Sequence, residues 1–260
     1  MNAAPDELVD GFHPLSLEEL DERASLQQRV DTKYMLTAQQ FEALAAQLQP
    51  DYDVLEIDGR RGFGYESVYF DTPGLRCFHD HEQEHRPRFK CRTRLYREAS
   101  KCVFEVKLKR SDGEMDKRQI DYAVGDREQL TGEARGCVEE ALGNASLELD
   151  EPLEPTLRTA FERVTLATRQ GPERLTCDYG VRMSRFAGGQ SALADGLVLV
   201  ETKSESGPGA ADRALAEMGV DAISLSKYKL GIGLLEQGER DPMERFFETF
   251  PATGSRVGGS

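Results

Sequence analysis

Arg88, Lys90, Arg92 and Arg94 fall at every second position, separated by Phe89, Cys91 and Thr93 and followed by Leu95. A little further on, Glu105, Lys107 and Lys109 alternate with Phe104, Val106 and Leu108. Strand residues two apart share a face, so each segment gathers its charges on one side and its apolar groups on the other. Arginine offers a planar fork to two phosphate oxygens, and lysine supplies a mobile point charge. A face built from both suits a polyanion. The same alternation recurs in Arg29, Asp31, Lys33; in Arg174, Thr176, Asp178; and in Glu201, Lys203. Repeated two-faced strands of this kind predict an α+β fold with an antiparallel closed β-barrel, charged inside and covered outside by flanking helices. The interior then needs a polyanion, metal or water, because unpaired buried charge is costly.

The net charge points the same way. The 260 residues hold 33 Lys and Arg against 47 Asp and Glu, a formal charge of −14. Between Arg86 and Arg118 twelve basic residues face five acidic ones, so that stretch carries 12 − 5 = +7 and the remainder −14 − 7 = −21. A basic block in an acidic chain implies a focused anion site, not a general nucleic-acid surface. No apolar run approaches the ~20 residues of a spanning helix. The acidic start MNAAPDELVDGF lacks the order of a signal peptide, which makes the cytoplasm the default compartment. Five cysteines with no close pair read as small buried apolar groups.

The elements that would position these residues follow from periodicity and caps. Residues 16–24 read as a helix with Ser16 as N-cap, and 27–35 as a strand. Thr37 caps an amphipathic helix bearing Phe41, Leu44, Ala45 and Leu48. Strands are expected at 64–72, 87–97, 102–109, 117–124, 174–183 and 197–203, and helices at 126–142, 157–164, 211–219, 226–236 and 242–250. His79, His81 and His85 with Asp80, Glu82 and Glu84 read as a solvated loop. The tail ATGSRVGGS reads as disordered.

The ordered pieces Arg29-Val-Asp-Thr-Lys33-Tyr, Val68-Tyr-Phe-Asp-Thr72, Lys90-Cys-Arg92-Thr-Arg94-Leu-Tyr96 and Phe104-Glu105-Val-Lys107-Leu-Lys109 are followed by Lys117-Arg118, Arg174-Leu-Thr-Cys-Asp178, Val200-Glu201-Thr-Lys203 and Ser226-Lys227-Tyr228. Together they resemble the VTC domain, the polyphosphate polymerase domain of the vacuolar transporter chaperone complex and its bacterial relatives. That domain belongs to the triphosphate tunnel metalloenzymes, with the CYTH-like triphosphatases and adenylate cyclases. The resemblance covers about residues 25–236. It implies a tunnel domain at 25–238, after an N-terminal helical extension at 1–24 and before a C-terminal helix and tail at 239–260.

What the resemblance implies for the site can be carried over by position. Lys33, Arg92, Arg94, Lys107 and Arg174 take the catalytic, phosphate-gripping places. Arg29, Lys90, Lys109, Lys117, Arg118, Lys203, Ser226 and Lys227 add substrate contacts, with the register of Lys117 and Arg118 open. Glu201 resembles the metal-binding glutamate, with Glu105 and Asp178 as helpers for Mn or Mg; Glu105 is equally a partner for its neighbouring lysines. The implied activity transfers the γ-phosphate of ATP or another nucleoside triphosphate to a growing inorganic polyphosphate chain. The alternatives are a tunnel triphosphatase and a non-catalytic polyphosphate-binding module. One departure counts against hydrolysis: where CYTH triphosphatases open with Glu-x-Glu-x-Lys, this chain has Arg29-x-Asp31-x-Lys33. Nothing in the residues names a membrane-protein partner.

Overall fold

Alternation of burial along the charged segments carries into three dimensions. In a computed structural model, which describes residues 4–23, 30–235 and the backbone of 252–255, twelve strands join one sheet. In chain order the elements begin with β1 (His13–Leu15), α1 (Leu17–Arg23), β2 (Val30–Thr37), α2 (Ala38–Leu48), β3 (Tyr52–Leu55) and β4 (Phe63–Asp71). Next come α3 (Arg76–Glu82), β5 (Arg88–Tyr96), β6 (Lys101–Lys109), β7 (Met115–Tyr122), α4 (Gly132–Gly143) and β8 (Glu154–Thr168). The chain continues through β9 (Arg174–Arg185), β10 (Gln190–Leu193), β11 (Leu197–Ser204), α5 (Ala210–Glu217), α6 (Lys227–Leu235) and β12 (Ala252–Ser255).

The sheet path runs β12-β10-β9-β8-β4-β5-β6-β7, with β11 between β9 and β2, and β3 between β8 and β1. β2–β11, β9–β11, β9–β10, β3–β8, β4–β5, β5–β6 and β6–β7 pair antiparallel, and β1 beside β3 is parallel. The expected closed barrel is corrected here. Among the described residues β7 pairs only with β6 and β2 only with β11, so the sheet is not closed. β7 carries Asp116, Lys117, Arg118 and Asp121, the kind of charged edge that discourages further strand pairing.

The chain packs as two compact units. The first comprises Met1–Phe63, Phe161–Val181 and Leu193–Leu225. Its core joins Tyr34 and Leu36 of β2, Phe41, Leu44 and Leu48 of α2, Leu175 and Cys177 of β9, Val198 and Val200 of β11, and Leu215 of α5. Thr37 starts α2 with a reciprocal cap: its side chain accepts from the Gln40 N–H, and the Gln40 side chain accepts from the Thr37 N–H. Asp212, buried in α5, accepts from the hydroxyls of Tyr34 and Thr202 at 2.8 and 2.6 Å. Residues expected as a helical extension supply β1 and α1, and Arg23 pairs with Asp53 of β3 at 2.8 Å.

The second unit comprises Gly64–Ala160, Arg182–Ala192 and Ser226–Ser260. Val68 and Phe70 of β4, Phe89 and Cys91 of β5, and Phe104, Val106 and Leu108 of β6 are buried on one face of its strands. α3 packs against β5 and α6, and α4 against β6 and β7.

Three expected elements differ. Residues 157–164 are strand, not helix: Leu157, Phe161 and Val164 mimic a helical face, but Thr159 is buried too, and pairing within the sheet decides. Of the histidine-rich stretch, His79 to Glu82 belong to α3 instead of a loop, and Glu84 and His85 follow its end. In the tail read as disordered, Ala252–Ser255 form β12 beside β10. The helix expected at 242–250 lies outside the described residues. All five cysteines are free, and Cys137 alone of them is not fully buried. Among the described residues no helix is long and apolar enough to cross a membrane.

Candidate functional site

Register decides which cations share a surface in the second unit. Antiparallel partners lie on the same face, so β4, β5, β6 and β7 build a polar surface in rows. One row reads Lys90, Lys107, Lys117, three lysines directly opposite one another. The next reads Tyr69, Arg92, Glu105, Gln119, and beside it lies Ser67, Arg94, Val103, Asp121. On the far side of the lysine row, Arg88 lies opposite Lys109.

Glu105 is the centre of this surface. Its side chain is 1% exposed, yet it takes the Arg92 Nε at 2.7 Å on Oε2 and the Lys117 Nζ at 2.7 Å on Oε1, with the Arg94 Nε 3.9 Å away. Burial alone would raise its pKa. Arg92, Arg94 and Lys117 outweigh that and hold the carboxyl well below the usual carboxylate range. The Arg92 Nη1 also donates to the Tyr69 hydroxyl at 3.0 Å. Tyr69 stacks on Tyr228 of α6 with ring centres 5.1 Å apart. The Tyr228 hydroxyl donates to Asp71, which also accepts from the backbone N–H groups of Thr72, Cys77 and Phe78. Asp71 thus anchors both α6 and the start of α3 behind the arginine.

The first unit carries a second charged surface, on β2, β11 and β9. Lys33 lies opposite Glu201, which lies opposite Thr176; Asp31 lies opposite Lys203, which lies opposite Arg174. Opposite signs therefore meet between β2 and β11 and alternate along each of those strands, whereas Lys203 and Arg174 are like charges opposite one another. Glu201 Oε1 is 3.2 Å from Lys203 Nζ and 3.9 Å from Lys33 Nζ. Lys203 is 6% exposed, and burial pulls its ammonium down to about 8 although Glu201 favours the charge. Asp178, on the same strand face as Arg174 and Thr176, is held by Arg163 of β8 through two bonds of 2.6 and 2.8 Å.

The sequence candidates divide as follows. Arg92, Arg94, Lys90, Lys107, Lys109 and Lys117 come together on the second unit's polar surface. Lys33, Arg174, Glu201 and Lys203 come together on the first unit's. The open register at 117–118 resolves. Lys117 lies on the cationic surface, whereas Arg118 lies opposite Val106 on the other face and bonds Glu140 of α4 at 2.5 Å. Arg118 is therefore corrected to a helix-docking residue. Ser226 caps α6, its hydroxyl accepting the Lys229 N–H at 3.1 Å, and Lys227 opens that helix. Arg29 lies outside the described residues.

Two contributors went unassigned in the sequence. Arg163 falls in the stretch read as helix at 157–164, and Tyr69 sits among the apolar residues of the strand expected at 64–72. Alternation could have placed Tyr69 on the polar face, since Val68 and Phe70 flank it with apolar groups.

The implied divalent metal can be tested against the donors present. Among the described residues no three His, Cys, Asp or Glu side chains gather to hold an ion. The expected helpers are engaged by cations, Glu105 by Arg92 and Lys117 and Asp178 by Arg163. Glu201 is likewise paired, with Lys203 and Lys33, so the donor set does not fit an all-protein cage, and one carboxylate sharing an ion with substrate phosphate oxygens is the arrangement it leaves open.

A family model described as the VTC domain matches residues 28–236. No curated protein matches the chain. Among solved structures, a candidate adenylyl cyclase from Hippeastrum, described as showing a dominant triphosphatase activity, is 17% identical with a TM-score of 0.48, over 84% of this chain and 99% of its own. Protein PH1819 of Pyrococcus horikoshii is 13% identical with a TM-score of 0.43, over 79% and 96%. A candidate adenylate cyclase from Vibrio parahaemolyticus is 14% identical with a TM-score of 0.41, over 78% and 97%.

Proposed function

The chain belongs to the VTC-domain family, and from that premise we propose that residues 25–238 form a polyphosphate polymerase domain that transfers the γ-phosphate of ATP to inorganic polyphosphate. The observation that carries this reading is the row Lys90, Lys107, Lys117 beside Arg92 and Arg94. Like charges directly opposite on neighbouring strands destabilise a sheet. An extended polyanion offsets that cost, because it places a negative unit against each cation. Polyphosphate carries about one charge per phosphoryl unit, the repeat such a surface can follow.

Phosphoryl transfer asks for alignment and charge neutralisation more than for proton movement. An ionised terminal oxygen of the polyphosphate chain attacks the γ-phosphorus. The bond from that phosphorus to the β,γ-bridging oxygen breaks, and its electrons leave with ADP. No general base is required, since the acceptor is already ionised. Arg92 and Arg94 orient phosphoryl oxygens through forked donors, and Lys90, Lys107 and Lys117 hold the chain as point charges. Glu201, on the first unit, would hold a divalent ion, Mn or Mg, which when bound would supply neutralisation of phosphoryl charge. Lys33 and Lys203, beside Glu201, keep that carboxylate paired in the ligand-free chain. A nucleotide donor puts the proposed activity in the cytoplasm.

The test is incubation of purified protein with ATP and Mn. A long acid-labile polymer is expected. Stoichiometric free phosphate without polymer would replace this reading with a triphosphatase, and binding without turnover would replace it with a binding module.

A further inference from the structure

We infer that Glu105 and Tyr69 are positioning residues that fix the Arg92 guanidinium for phosphate, an inference that rests on the phosphate-binding reading of this surface. A guanidinium has five N–H donors. In Arg92 the Nε donor is taken by Glu105 at 2.7 Å and one Nη1 donor by the Tyr69 hydroxyl at 3.0 Å. Those two bonds lie on adjacent nitrogens, so together they define the plane and the rotation of the group. The donors that remain, both Nη2 hydrogens and one on Nη1, form the fork offered to a ligand.

Both holders are themselves buried and held in turn. Glu105 is 1% exposed and braced by Lys117. Tyr69 is buried, stacked on Tyr228, which is pinned to Asp71. The Arg92 guanidinium also lies 5.6 Å from the centre of the Tyr69 ring. An unheld arginine loses rotamer freedom when it grips a ligand, and one held in this way has lost it already.

This role makes a prediction opposite in sign to simple electrostatics. Glu105→Gln removes one negative charge from a cationic surface, which by Coulomb attraction alone tightens polyanion binding. Positioning predicts weaker binding, because an amide offers one neutral oxygen where Arg92 and Lys117 each bond a carboxylate oxygen, and its NH2 faces the other cation. It also predicts that Mn binding is untouched, whereas a metal-ligand role predicts its loss.

The experiment measures the Kd of inorganic tripolyphosphate by calorimetry in EDTA, and the Kd of Mn alone by electron paramagnetic resonance. Glu105→Gln is expected to weaken tripolyphosphate about tenfold or more, as for loss of a hydrogen bond to a charged group, and Tyr69→Phe about three- to tenfold. The salt slope should stay that of the wild type, because the number of phosphate-neutralising cations is unchanged. Glu105→Asp should recover part of the affinity. Should Glu105→Gln fail to fold, Tyr69→Phe decides by the same Kd, since it keeps the stacked ring. Tighter tripolyphosphate binding by Glu105→Gln, unchanged binding by Tyr69→Phe, or a loss of Mn affinity in Glu105→Gln would each overturn the inference. A wild type that does not bind tripolyphosphate would instead remove the phosphate reading beneath it.

Discussion

Replacing Arg163 by Met is expected to cost the protein about 3–5 kcal/mol, the usual result of removing one partner from a buried ion pair. The magnitude follows from the site. Asp178 is 2% exposed and Arg163 12%, and two bonds of 2.6 and 2.8 Å join them. Methionine keeps much of the arginine's aliphatic length, so the loss reports the guanidinium, which also lies 5.3 Å from the centre of the Phe161 ring, more than volume. For a chain of this length ~2–4 °C accompanies each kcal/mol, which makes the fall in Tm about 10 °C. Urea titration of the wild type, Arg163→Met, Asp178→Leu and the double variant closes a cycle that isolates the pair. The double variant should be more stable than either single one. Manganese should not restore Arg163→Met, because Asp178 is held here as an arginine partner. A loss below ~1 kcal/mol would refute the reasoning about buried pairing. Recovery on adding Mn would return Asp178 to the metal.

Three further predictions follow from the geometry. Lys117→Ala should weaken tripolyphosphate binding by roughly tenfold, whereas Arg118→Ala should leave it within about twofold; calorimetry on the two variants checks the register. Glu105 has its pKa lowered from 4.5, so its stabilisation is complete above that value and lost as pH falls through its folded value; the advantage of wild type over Glu105→Gln should shrink at ~1.4 kcal/mol per pH unit below about pH 4.5, by urea unfolding. Asp71→Asn should lose ~2–4 kcal/mol by the same measurement, since its carboxylate accepts from Tyr228 and three backbone N–H groups.

The parts of the fold legible in the sequence are those fixed by local periodicity. Arg88 to Arg94 and Glu105 to Lys109 read as strands because period-two alternation is carried within a few residues, and α2 was legible from Thr37 and its apolar stripe. Residues 157–164 were not, because Leu157, Phe161 and Val164 satisfy a helical template equally well and only pairing with distant strands excludes it. The same limit applies to the site. Alternation assigned Arg92, Arg94 and Lys107 to one face, but choosing Lys117 over Arg118 required the β6–β7 register. Glu105 and Asp178 could be named as carboxylates near cations. Whether each serves a metal or an arginine depends on Arg92, Lys117 and Arg163, which reach them across strands. Closure of the sheet was inferred from repeated two-faced strands, and a charged edge such as β7 satisfies that pattern without pairing further.

The most direct test of the phosphate-binding surface is a crystal structure grown with tripolyphosphate and Mn. The account predicts phosphoryl oxygens within hydrogen-bonding distance of Arg92, Arg94, Lys107 and Lys117, with Glu105 still bonded to Arg92. Phosphate density on the opposite face near Arg118, with Arg92 and Lys107 contacting none of it, would contradict the account.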